Sequence, residues 1–290
     1  MQPLSARARR RYFIFFILCA VISIPVAIFY ASGYRFDGSF SLVKTGGIYI
    51  AVPLSGTTIS LNGDEVGTSS FFNRGFYIDN LAPGSYVIYA IAPEVYPWHK
   101  TLIVEPKVVT DARAFLVPEK LVAVELITAT STLPVSTTTL PIRTITALER
   151  ANLLSVFVLA TTTPQTILSV DTTTYDDTRG GFGLKASGGT LFVVWTRATS
   201  TLPSSFCIRP SSCTHTITIE EGADEIMHAR FFNDGVLYQT KTNGIFFAEI
   251  DRRPTTLTVP VYPRRGAEFR IVDGKIIIKD GTDLYEISGW

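Results

Sequence analysis

Hydrophobic positions follow two regimes along this chain. From Tyr12 to Ala31 they form one unbroken run, YFIFFILCAVISIPVAIFYA, with no charged residue. From Gly47 onward they fall into short runs separated by Gly, Pro, Asn and Asp. The first run predicts a helix about 30 Å long, which matches the hydrocarbon core of a bilayer. Pro25 fits such a span, because a freed carbonyl in a membrane helix finds local partners. Tyr12 and Tyr30 stand near its ends, where amphipathic rings favour the membrane–water boundary.

The flanks give an orientation. Arg7, Arg9, Arg10 and Arg11 precede the run, while Arg35 and Asp37 nearly cancel after it. The positive-inside asymmetry places residues 1–11 in the cytoplasm, the span at 12–31 and the remainder outside the cytoplasm. A cleaved signal peptide is the alternative, since Ala31-Ser32-Gly33 offers small residues for a peptidase. Its apolar core would be only about 7–15 residues, shorter than this run. Cys19 lies mid-span behind Leu18, which does not suit a lipidation site.

After a juxtamembrane linker at 32–46, residues 47–118 read as a small β-sandwich. The expected strands are GIYIAV, TTISLN, GFYIDNL, SYVIYAIA, KTLIVE and TDARAFLV. Asn62-Gly63 suits a type I′ turn, in which both central residues need positive φ, and Pro83-Gly84 marks another turn. In SYVIYA both strand faces are apolar or aromatic, as in a strand covered on both sides.

The order of these elements resembles the PEGA domain, a small β-sandwich of prokaryotic envelope proteins. The matching positions are Gly56, Ile59, Leu61, Asn62, Gly63, Gly67 and Thr68, then Leu81, Pro83, Gly84 and Tyr86, and finally Tyr96 and Trp98. Leu54-Ser55-Gly56-Thr57 replaces the naming tetrapeptide and keeps only its glycine. Val95 stands in place of a glycine, and Tyr96-Pro97-Trp98 compresses the aromatic spacing. The resemblance implies an envelope role and supplies no catalytic residue.

Residues 119–290 carry a weak repeat. NDGVLYQTKTNGIFFAEI (233–250) resembles VDGKIIIKDGTDLYEI (272–287), and ANLLSVFVL from Ala151 and GGTLFVVW from Gly188 read as poorer copies. A period near 40 residues of antiparallel strand predicts a partial β-propeller-like array, with a second β-sandwich as the alternative. Thr/Ser/Pro-rich stretches at 129–141 and 198–205 are expected to be exposed loops. The fold class is thus mainly β behind one N-terminal transmembrane helix.

Composition removes several functions. A net charge of +1 with 18% charged residues gives no field for nucleic acid. His99, His215 and His228 form no triad or ligand spacing, and Asp234, Asp273 and Asp280 each precede a turn glycine. KDGTD (279–283) lacks the alternating oxygens and distal Glu of a calcium loop. No metal, cofactor or catalytic residue is therefore expected. Cys207 and Cys213 can close a disulfide, and Phe76, Tyr96 and Trp98 are candidate partner- or glycan-binding aromatics. Alternatively, these rings close the end of the sandwich core. The sequence points to a non-enzymatic, membrane-anchored envelope protein that binds protein or polysaccharide. The alternatives are a sensor ectodomain that needs a membrane partner subunit, and an anchored glycan hydrolase.

Overall fold

The computed structural model describes residues 6–36, 42–128, 140–159, 175–198, 201–222 and 224–290. The protein is mainly β, with several sheets behind one apolar N-terminal helix. That helix, α1, spans Ala6–Ala31 and is long and apolar enough to cross a membrane. None of its apolar window is buried among the described residues. Arg7, Arg9, Arg10 and Arg11 lie in its first turns. It ends where Gly33 takes φ 80° and donates its N–H to Tyr30 O, a left-handed stop that glycine makes without steric cost.

Arg35 ties this helix end to the β-body. Its guanidinium sits 3.6 Å from the centre of the Tyr30 ring. It donates to Tyr30 O at 2.8 Å and to Asn80 Oδ1 at 2.6 Å. The segment expected to be a plain linker holds a hairpin, in which Tyr34–Phe36 pairs with Leu42–Lys44.

The sandwich has two layers. Gly46–Ala51 lies between Gly75–Leu81 and Val109–Arg113 in a three-stranded sheet. The second layer runs Asp64–Thr68, Thr58–Leu61, Gly84–Ile91, Trp98–Val104. All six expected strands form. The additional one, Asp64–Thr68, is an edge strand whose exposed Asp64 and Glu65 hide any apolar alternation. Asn62 and Gly63 take φ 51° and 98°, as a two-residue hairpin turn with positive φ at both positions requires.

Beyond the sandwich, the described residues form three four-stranded antiparallel units. The first is Asp177–Arg179, Phe182–Ser187, Thr190–Trp195 and Thr216–Glu220. The second is Ile226–Phe232, Gly235–Thr240, Gly244–Glu249 and Thr258–Tyr262. The third is Glu268–Val272, Lys275–Asp280, Asp283–Ser288 and, as its outer strand, Val122–Thr128. Ile142–Ile145 extends that sheet in parallel. The last unit therefore takes a strand from the segment that precedes the first.

One expected repeat copy is corrected. ANLLSVFVL belongs to a helix, α2, at Ala147–Leu159. Thr146 Oγ1 accepts the Glu149 N–H at 3.1 Å, half of a Thr-x-x-Glu capping box. Leu153, Leu154 and Phe157, at helical spacing, pack on Leu126, Ile145, Ile277 and Leu284. A short apolar run bounded by turn signals does not distinguish strand from helix, and here the cap decides.

The Thr/Ser/Pro stretch at 129–139 lies outside the described residues. The described part of 198–205 departs from an exposed loop: Leu202 packs on an apolar cluster, and Phe206 just beyond it is fully buried. One cluster joins the first two units, and a larger one joins the sandwich to the second and third. Residues 47–118 and 119–290 thus share a core, in which Phe115 meets Phe247 at 5.0 Å between ring centres.

His228, on the first strand of the second unit, packs its ring 5.0 Å from Phe269 of the third. Its buried Nε2 has no hydrogen-bond partner among the described residues. Burial, with Arg230 and Arg270 nearby, pushes its pKa from the ordinary 6.5 down to about 3. Above pH 6.5 neither the folded nor the unfolded state binds the proton. Between there and about pH 3 the unfolded chain binds it first, so stability falls by up to about 1.4 kcal/mol per pH unit. Urea unfolding of the full chain in detergent micelles at two pH values tests this. Between neutral pH and about pH 4.5, His228→Leu should lose roughly 2 kcal/mol less stability than the wild type. Equal losses would exclude the ring as the responsible group.

Candidate functional site

Of the two readings of Phe76, Tyr96 and Trp98, an exposed platform or a plug of the sandwich core, their burial fits the plug. Phe76 and Trp98 are buried, and Tyr96 is half-buried against the same core. Strand parity is the reason. Phe76 points inward while Tyr77 points out, and Trp98, Lys100, Leu102 and Val104 all turn to the inner side. These three rings close the core rather than offer a surface.

The inward position of Lys100 places a charge in that core, and it is paired. Lys100 is fully buried, and its Nζ lies 2.9 Å from Glu249 Oε2 at the end of strand Gly244–Glu249. Trp98 Nε1–H donates to the other carboxylate oxygen at 2.8 Å, and Leu257 N–H donates to Oε2 at 3.2 Å. Lys100 also donates to Arg253 O at 3.3 Å. Burial pushes the Glu249 carboxyl up from its ordinary pKa, and neighbouring Asp251 adds to this against the pull of Lys100.

A second buried pair lies beside the first. Arg253 Nε donates to Asp251 Oδ1 at 2.9 Å, and its Nη1 reaches Asp111 O on the sandwich at 2.7 Å. The sandwich and the second unit are thus joined by two ion pairs that cross or cap their boundary.

Above this joint opens a cavity of about 480 Å³, within the usual size range of small-molecule sites. One wall is the outer face of the three-stranded sheet, with Tyr49, Ala51, Asp111 and Arg113. Arg179 and Phe182 of the first unit, Ser204 and Ser205 of the segment after it, and Phe231 and Ile250 also line it. Glu249, Asp251 and Arg253 also reach the cavity. At its mouth Arg113 pairs with Asp234 at 2.8 Å, both half-exposed. Ser204 Oγ donates to Asp111 Oδ2 at 2.9 Å.

Cys207 and Cys213 are disulfide-bonded across a small hairpin that follows Ser204 and Ser205. The hairpin tip rests on the sandwich, where Ser211 N–H and Oγ–H donate to the Glu105 carboxylate. The bridge therefore fixes the segment that forms one side of the cavity.

Sequence reasoning missed Tyr49 and Tyr77, the two exposed rings on the outer sheet face. Each lies across a glycine of the neighbouring strand. A Cβ at Gly75 would stand 2.5 Å from the Tyr49 hydroxyl, and one at Gly47 would stand 3.2 Å from the Tyr77 ring. The available signal was the alternation of Gly and Tyr in GGIYIA and GFYID, which pairs each ring with a position lacking a side chain.

The buried joint sets a test. Lys100→Met and Glu249→Gln each strand one buried group, and each should lower the unfolding free energy by about 3–5 kcal/mol. The Lys100→Met/Glu249→Gln double variant should lose less than either single variant. Urea denaturation of the full chain in micelles, followed by tryptophan fluorescence, measures all three. A double loss equal to the sum of the singles would show that the two side chains do not interact.

No protein-family model matches the chain, and no curated protein matches it.

Proposed function

We propose that this chain is a single-pass membrane protein whose β-body lies outside the cytoplasm and binds an envelope protein or polysaccharide without chemically converting it. Residues 47–118 act as a PEGA-like module in this reading, and the three units behind them supply the rest of the binding body. The carrying observation is the cavity at the junction, whose walls come from both parts of one fused core. Glu249 and Asp251 are each held by a cation and by further hydrogen bonds, which supports a structural role for both in the cavity wall.

The basic flank and the apolar helix support the orientation. Arg35, which joins the helix end to Asn80, supports a body held close to the bilayer. Protease added to intact spheroplasts should remove everything beyond about residue 33 and leave the helix with its basic tail membrane-bound. Complete protection overturns the orientation. Release of the β-body by alkaline carbonate from untreated membranes overturns the anchor and favours cleavage near Gly33.

A further inference from the structure

The geometry points to a carbohydrate subsite on the outer face of the three-stranded sheet, with Tyr49 and Tyr77 as the stacking surface for a neutral, β-linked, gluco-configured oligosaccharide. This rests on the binding reading above and narrows it to one ligand class. The strand register sets Tyr77, Tyr49 and Asp111 side by side across the three strands. The two rings lie across Gly47 and Gly75 rather than standing upright between side chains. Both stay substantially open to solvent, at 60% for Tyr77 and 41% for Tyr49.

The chemistry of the row suits a sugar. A gluco-configured pyranose carries its ring hydroxyls equatorially, so each face presents C–H bonds to an aromatic ring while the rim presents hydroxyls. The rings supply the first contact and require little ordering, since tyrosine has few rotors. Ser204 Oγ already donates to Asp111 Oδ2 at 2.9 Å, so both side chains are set to accept from rim hydroxyls. Arg113 and Asp234 at the mouth offer both kinds of partner again. The charges lining the cavity balance once Lys100 is set against Glu249, with Asp111, Asp234 and Asp251 against Arg113, Arg179 and Arg253. A neutral polyhydroxylated ligand meets that balance without a net electrostatic penalty. The sheet face runs directly into the cavity through Tyr49, so a chain laid over Tyr77 can place its next unit between Arg113 and Ser204.

The test uses the full chain in a zwitterionic detergent that carries no sugar headgroup. Cellotetraose and chitotetraose are titrated by saturation-transfer NMR and calorimetry, with Tyr49→Ala, Tyr77→Ala and Gly75→Ala as variants. Gly75→Ala keeps every aromatic but displaces the Tyr49 ring, and its backbone is not in the left-handed region. At least one tetramer should bind, and each variant should weaken it about 10-fold, the value of one stacked ring, with the melting temperature retained. Absence of binding by both tetramers at millimolar concentration overturns the proposal, as does binding that all three variants leave intact. A photo-crosslinker at position 179 in native membranes separates the two levels of the argument. A protein adduct that Tyr49→Ala removes, without glycan binding, overturns the carbohydrate ligand and leaves the binding reading standing. Neither glycan nor adduct overturns both.

Discussion

The buried Lys100–Glu249 pair is the constraint around which the body is organised. A lysine on the inner face of a sandwich strand is untenable alone, because an unpaired charge in a core costs several kcal/mol. Glu249 removes that cost only if the second repeat unit docks on this face in one register. Trp98 then adds an indole N–H to the same carboxylate, so a single acidic residue satisfies two inward side chains of one strand. Apolar contacts such as Phe115 on Phe247 are tolerant of small slips, whereas this joint is not. The placement of the cavity follows, since Glu249 of the joint is among its lining residues.

The same logic explains why two regions that look separable in sequence share one core. Neither the three-stranded sheet nor the second unit covers its partner-facing residues alone. The disulfide hairpin adds a further fixed point through Glu105, in the turn whose Lys107 N–H bonds to Thr45 O. Together with Arg35 on Tyr30 and Asn80, these contacts run continuously from the helix end to the cavity wall.

Much of the fold was legible in sequence because its signals are local. The apolar run, the Asn62-Gly63 turn and the alternating strands each depend on neighbours within a few residues. α2 was misread because its apolar run is short, and its Thr146–Glu149 cap is a weaker signal than the surrounding β pattern. The site was less legible for a different reason. Trp98 and Phe76 attract attention by residue type, yet which face of a strand they occupy depends on register with distant strands. Nothing near Lys100 in the chain announces Glu249, which is 149 residues away. Tyr49 and Tyr77 were readable only through the glycines across the sheet from them.

The outer strand of the last unit, Val122–Thr128, has a kinetic consequence. It is made early and must wait for Asp283–Ser288 before its inner edge is paired. Until then it remains an open β-edge, the kind of surface that invites pairing with another chain. Closure joins segments far apart in sequence, so it is expected to be slow relative to the local hairpins. Completion of this sheet therefore waits on Asp283–Ser288, and a chain stalled or truncated before Asp283 would leave that edge of Val122–Thr128 uncovered.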